Sequence, residues 1–145
     1  MTPVLTGAVA LPDGTLVRGR GRRQELPPGP LPEFGLHLGR LKGRERPPPW
    51  PTEWIDWPDF RTPRDDRAAA AQIRAAYERA RAGERVEMVC AGGTGRTGTV
   101  IACMAVLAGH PAAGAVAWAR AHYRAHAVET PGQKRWVRRF PDLLD

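Results

Sequence analysis

Apolar and polar positions change period several times along this chain. Residues 4–18, V-L-T-G-A-V-A-L-P-D-G-T-L-V-R, alternate around a Pro-Asp-Gly turn and predict two short strands. Residues 18–33 are rich in Arg, Gly and Pro and read as loop. Phe34 to Leu38 alternate again as a strand does. Residues 42–51, K-G-R-E-R-P-P-P-W-P, exclude helix and interior strand, because proline removes backbone donors. Neither flank is large enough for a core of its own, so this stretch reads as a surface loop inside one domain spanning residues 1–145. Trp54 to Trp57 form a further short strand, ending at Pro58.

The period then becomes helical. Residues 62–83 are filled with Ala and Arg and place Ile73, Ala76, Tyr77 and Ala80 on one face. Asp65 and Asp66 stand at the start, where the helix dipole favours anions, and Gly83 closes the segment. Val86 to Val89 predict a short strand, and residues 99–109 an apolar helix buried all round. Pro111 restarts a helix through Ala125, with Val116, Trp118, Ala119 and Tyr123 as core or edge residues, and Pro131 opens a last one. There are no internal repeats. This order predicts an α/β domain, a small central mixed sheet flanked by helices.

Composition narrows the class. Hydrophobic residues make up 42% of 145, enough for a real core. No apolar run approaches the ~20 residues of a membrane span, and the N-terminus lacks the features of a signal peptide, so a cytoplasmic location is expected. Cys90 and Cys103 are the only cysteines and read as reduced thiols. The net charge of +7 points to an anionic partner. Residues 1–50 hold 8 basic and 4 acidic groups, residues 51–90 hold 7 and 8, and residues 91–145 hold 7 and 3. The excess lies at both ends instead of forming one stripe, which argues against nucleic acid.

The candidate chemistry sits at residues 89–99, V-C-A-G-G-T-G-R-T-G-T, between the strand and the apolar helix. Three phosphate-holding loops use glycine in this way. The dinucleotide reading fits G-x-G-x-x-G over Gly93–Gly98 but fails downstream, since no Asp or Glu lies between Gly98 and Val128 to take the ribose hydroxyls. The nucleoside-triphosphate reading aligns poorly, placing Cys90 where glycine is needed and Arg96 where lysine is needed. The third reading is C-x5-R-T, Cys90 to Thr97. Its loop, Ala91, Gly92, Gly93, Thr94 and Gly95, curls so that backbone N–H groups point inward around an anion. Arg96 grips two phosphate oxygens, and the helix from Thr97 adds its positive end. The same field favours a sulfur anion at Cys90, which beneath a bound phosphate is a nucleophile.

Two further stretches complete a set. In W-P-D-F-R-T-P, residues 57–63, Asp59 lies between two prolines on a loop that follows a strand, where a carboxylic acid can protonate a leaving group. In E-T-P-G-Q, residues 129–133, Gln133 stands at a helix start, where an amide can orient a water. Singly, each residue reads as an ordinary turn or helix residue. Together, in this order, the three stretches define a site.

These residues resemble the cysteine-dependent protein tyrosine phosphatase superfamily, in particular its small single-domain members, both dual-specificity types and compact bacterial tyrosine phosphatases. Cys90, Gly93, Arg96 and Thr97 match the family signature H-C-x-x-G-x-x-R-[ST], Trp57-Pro58-Asp59 match its acid loop, and Gln133 its glutamine loop. The resemblance covers roughly residues 54–140. It implies hydrolysis of phosphoprotein monoesters, phosphotyrosine or dual specificity, through a phosphocysteine on Cys90. In that scheme Arg96 and the amides of residues 91–96 hold the phosphoryl oxygens, Asp59 serves as acid and then base, Gln133 orients water, and Thr97 steadies the departing thiolate. No metal or other cofactor is implied, and the four histidines are scattered without ligand spacing. Ala91 and Thr94 are uncharged, which argues against a highly phosphorylated inositol substrate. Val89 departs from the family, which has histidine there. Valine donates no hydrogen bond, so the resemblance implies either another group in that role or a weak or inactive phosphate-binding module.

Overall fold

The computed structural model describes residues 3–40 and 46–144. Five strands form one mixed sheet in the order β1-β2-β5-β3-β4: β1 (Val9–Ala10), β2 (Leu16–Gly21), β3 (Phe34–Leu38), β4 (Thr52–Ile55) and β5 (Val86–Cys90). β2, β5, β3 and β4 run parallel, and β1 pairs antiparallel to β2. The helices are α1 (Asp66–Arg81), α2 (Gly95–Leu107), α3 (Ala115–His122) and α4 (Pro131–Arg139), with short 3-10 turns at Ala112–Gly114 and Phe140–Leu143. The expected α/β class is the observed one.

Side chains alternate across β5. Val86, Met88 and Cys90 join the apolar core with Ile73, Ile101, Met104, Trp136 and Phe140. Burying side chains of this size stabilises the fold by about 1.5–3 kcal/mol each. Glu87 and Val89 take the opposite face, where their partners across the sheet are Arg18 and Arg20 on β2 and Gly35 and His37 on β3. α1 starts at an Asp65 cap whose carboxylate accepts the Ala68 N–H at 3.0 Å, and it buries Ile73, Ala76, Tyr77 and Ala80 as the spacing predicts. Gly83 follows its end at φ 102°, in the left-handed region.

Three elements differ from the sequence reading. Residues 18–21 are interior strand and not loop. Arg18 Nε donates to Glu87 Oε2 at 2.8 Å, and Arg20 donates from Nε and Nη2 to both Glu87 oxygens at 3.0 Å. A buried carboxylate thus makes a polar strand tolerable inside the sheet. The helix expected from Pro111 to Ala125 is shorter: a 3-10 turn leads into α3, which ends at His122. The strand expected at Trp54–Trp57 lies two residues earlier, leaving Trp57 buried just beyond it with its indole N–H on the Arg61 carbonyl at 2.6 Å. Of the proline-rich loop, residues 42–45 lie outside the described residues, and 46–51 carry no helix or strand.

The parallel strands all end on one edge. Gly21, Leu38, Ile55 and Cys90 terminate there, with central β5 leading into α2. Open parallel sheets place ligand sites at such an edge.

Candidate active site

Cys90 is the last residue of β5 and is 3% exposed. Its Sγ accepts the N–H of Gly93 at 3.1 Å, so the loop folds back over the sulfur. Gly93 has φ 75°, and a Cβ there would lie 2.5 Å from the Gly21 nitrogen. Glycine is required on both counts, and the loop rests directly on the end of β2. α2 begins at Gly95 with Thr94 as its N-cap, and no side chain caps its first turn. A Cβ on Gly95 would collide with the Glu129 carboxylate.

Arg96, in the first turn of α2, is 6% exposed. Its Nη1 donates to the carbonyls of Leu38, at 3.1 Å, and Trp57, at 3.0 Å. Its Nη2 lies 3.4 Å from Asp59 Oδ1, and Nε is buried without a hydrogen-bond partner among the described residues. One guanidinium therefore joins the end of β3, the tryptophan of the W-P-D run and Asp59. Asp59 is half exposed, with a side chain 52% accessible, and its carboxylate also accepts the N–H of Phe60 at 2.9 Å. Phe60 is exposed at φ 61° on the tip of this loop.

The structure brings the loop of Ala91, Gly92, Gly93, Thr94 and Gly95 together with Cys90, Arg96 and Asp59. Thr97 follows, fully buried, its hydroxyl without a hydrogen-bond partner among the described residues. Gln133 is placed differently from the others. The sequence reading gives its amide to a water, yet the residue is fully buried and its amide is committed to backbone. Its Oε1 accepts from the N–H groups of Glu129, at 2.9 Å, and Thr130, at 3.3 Å, and its Nε2 donates to the Arg61 carbonyl at 3.2 Å. Gln133 closes a capping box with Thr130 and ties α4 to the Asp59 loop.

Sequence reasoning missed the outer side of the loop. The Tyr123 hydroxyl donates to the Gly93 carbonyl. Arg124 Nη1 donates to the Gly92 carbonyl at 2.9 Å and to Thr94 Oγ1 at 3.1 Å. Both residues directly follow α3, and no local spacing marks them as loop contacts. Burial, with the nearby Cys90 and Glu87 adding to it against Arg124, pushes the Tyr123 phenol up to about 12, so it remains a donor at neutral pH. Among the described residues no group of three His, Cys, Asp or Glu side chains is placed to hold a metal ion, and no helix is long and apolar enough to cross a membrane.

Comparison with known proteins gives the same neighbourhood. The protein-tyrosine phosphatase family model matches residues 41–136, which include Asp59, Cys90, Arg96 and Gln133. Tk-PTP in its active form superposes with a TM-score of 0.64 at 25% identity, over 77% of this chain and 79% of that one. A glycine-to-alanine mutant form of Tk-PTP gives 0.63 at 23% identity, over 77% of each chain. Kinase associated phosphatase, with its catalytic-site cysteine substituted by serine, gives 0.62 at 18% identity, over 77% of this chain and 70% of that one, a likeness of fold. No curated protein matches the chain significantly.

Proposed function

The chain belongs to the protein-tyrosine phosphatase family, and we propose that it hydrolyses phosphoprotein monoesters, phosphotyrosine foremost, through a phosphocysteine on Cys90. The Cys90 thiolate attacks phosphorus in line, the bond to the leaving oxygen breaks, and Asp59 gives that oxygen its proton. Arg96 and the inward amides of residues 91–96 hold the remaining phosphoryl oxygens, where charge builds up. Water then attacks the phosphocysteine, Asp59 takes its proton, and the thiolate leaves. Thr97, whose buried hydroxyl lacks a partner among the described residues, supplies a donor for that thiolate.

The observation that carries this reading is Arg96. A buried guanidinium is anchored on two carbonyls, and the only carboxylate bonded to it among the described residues is half exposed on the acid loop. It is placed to receive an anion.

The test is hydrolysis of an aryl phosphate by the full chain. Turnover should be inhibited by vanadate, indifferent to chelators and abolished by Cys90→Ser. Wild-type rates from Cys90→Ser would rule out the covalent route. The second reading, a phosphopeptide-binding module with little or no turnover, is favoured by Val89 and by the committed amide of Gln133. Phosphopeptide binding without hydrolysis at any pH would establish it.

A further inference from the structure

We propose that Tyr123 and Arg124 are positioning residues, which fix from outside the direction in which the phosphate-binding amides of the 91–94 loop face. The proposal rests on the phosphate-holding role assigned to that loop above. A trans peptide unit is planar, with its C=O and N–H pointing in opposite directions. Holding the carbonyl on one side therefore aims the amide on the other. Arg124 holds the Gly92 carbonyl, and the N–H of the same peptide, that of Gly93, points to Cys90 Sγ. Tyr123 holds the Gly93 carbonyl, so the N–H of that peptide, that of Thr94, turns inward likewise.

The loop needs this help because its own sequence does not supply it. Gly92 and Gly93 are the residues least able to resist rotation of the peptide between them. Val89, next to the cysteine, offers no donor.

The outer clamp is itself braced. Arg124 Nη2 donates to Gln24 Oε1 at 2.9 Å, the same oxygen accepts the Gly21 N–H at 2.7 Å, and Arg20 Nη1 donates to the Gln24 carbonyl at 3.2 Å. The Arg124 guanidinium also lies 5.1 Å from the centre of the Tyr123 ring. Room for the phenol comes from Gly19, where any Cβ would strike its hydroxyl. The glycine-rich end of β2 thus reads as a seat for the clamp.

The experiment compares the full chain with Tyr123→Phe, Arg124→Ala and Arg124→Lys. It measures binding of inorganic phosphate, the pH dependence of Cys90 alkylation by iodoacetamide, aryl phosphate kinetics and the melting temperature. Tyr123→Phe and Arg124→Ala should each weaken phosphate binding roughly tenfold, the effect of losing one amide bond to an anion. Both should move half-maximal alkylation to higher pH, and Arg124→Lys should recover part of each effect. A lower melting temperature with unchanged phosphate binding and an unchanged alkylation profile would overturn the proposal, as would no change in any measurement. Arg124 is partly exposed, so it provides a folded variant even if Tyr123→Phe does not. Phosphate binding is measured without turnover, so a wild-type protein that binds phosphate but hydrolyses nothing refutes the catalytic reading and leaves the clamp to stand or fall by its own variants.

Discussion

Arg18 and Arg20 on β2 and Arg96 on α2 are all buried, yet their surroundings differ in one respect. The β2 pair converges on Glu87, a fully buried carboxylate that takes three of their hydrogen bonds. Arg96 has two backbone carbonyls and one half-exposed carboxylate 3.4 Å away. A buried charge is tolerated when paired and hydrogen-bonded. The first group meets that condition from within the sheet, while the second meets it only in part and faces the edge where the strands end. Arginine burial alone does not mark an anion site. What sets Arg96 apart is burial without a buried counter-charge among the described residues.

Removing Arg96 puts the contrast under the largest strain. Arg96→Ala should lower kcat for an aryl phosphate by about 10³–10⁵, the scale of an arginine that stabilises a transferring phosphoryl group, and its melting temperature should fall less than that of a Glu87 variant. Kinetics and a thermal melt on the same preparation check both halves. Next is Glu87→Ala, which strands two guanidiniums in the sheet. It should lose about 3–5 kcal/mol of stability, out of the ~5–15 typical of a domain, and urea unfolding measures it. A Glu87→Ala protein as stable as wild type would erase the distinction between the two arginine environments. The smallest effect belongs to Asp59→Asn. It should cost about 10² in kcat, since a positioned acid contributes at least that much, while stability stays within about 0.5 kcal/mol because the pair with Arg96 is exposed on one side.

The same contrast explains what was legible in the sequence. Cys90, Arg96 and the glycines between them lie within seven residues, so their chemistry is local and can be read directly. Asp59 is marked by its flanking prolines, and α1 by the spacing of Ile73 and Tyr77. The second half of β2 was not legible, because Arg18-Gly19-Arg20-Gly21 contains no apolar residue and is held by Glu87, 67 to 69 positions away. Its glycines answer to Tyr123 and Gly92, which are more remote still. Gln133 is a different case. Thr130-x-x-Gln133 is a capping-box pattern, and the local signal was there to be weighed against a role in catalysis.

Cys103 carries a consequence for redox chemistry. It lies on α2, eight residues after Gly95, and is fully buried. Burial also pushes its thiol well up, keeping it protonated and unreactive. The chain has no other cysteine besides Cys90. If peroxide converts Cys90 to a sulfenic acid, the buried, protonated Cys103 is a poor nucleophile to resolve it, and recovery falls to a small external thiol or to ring closure on a neighbouring peptide nitrogen.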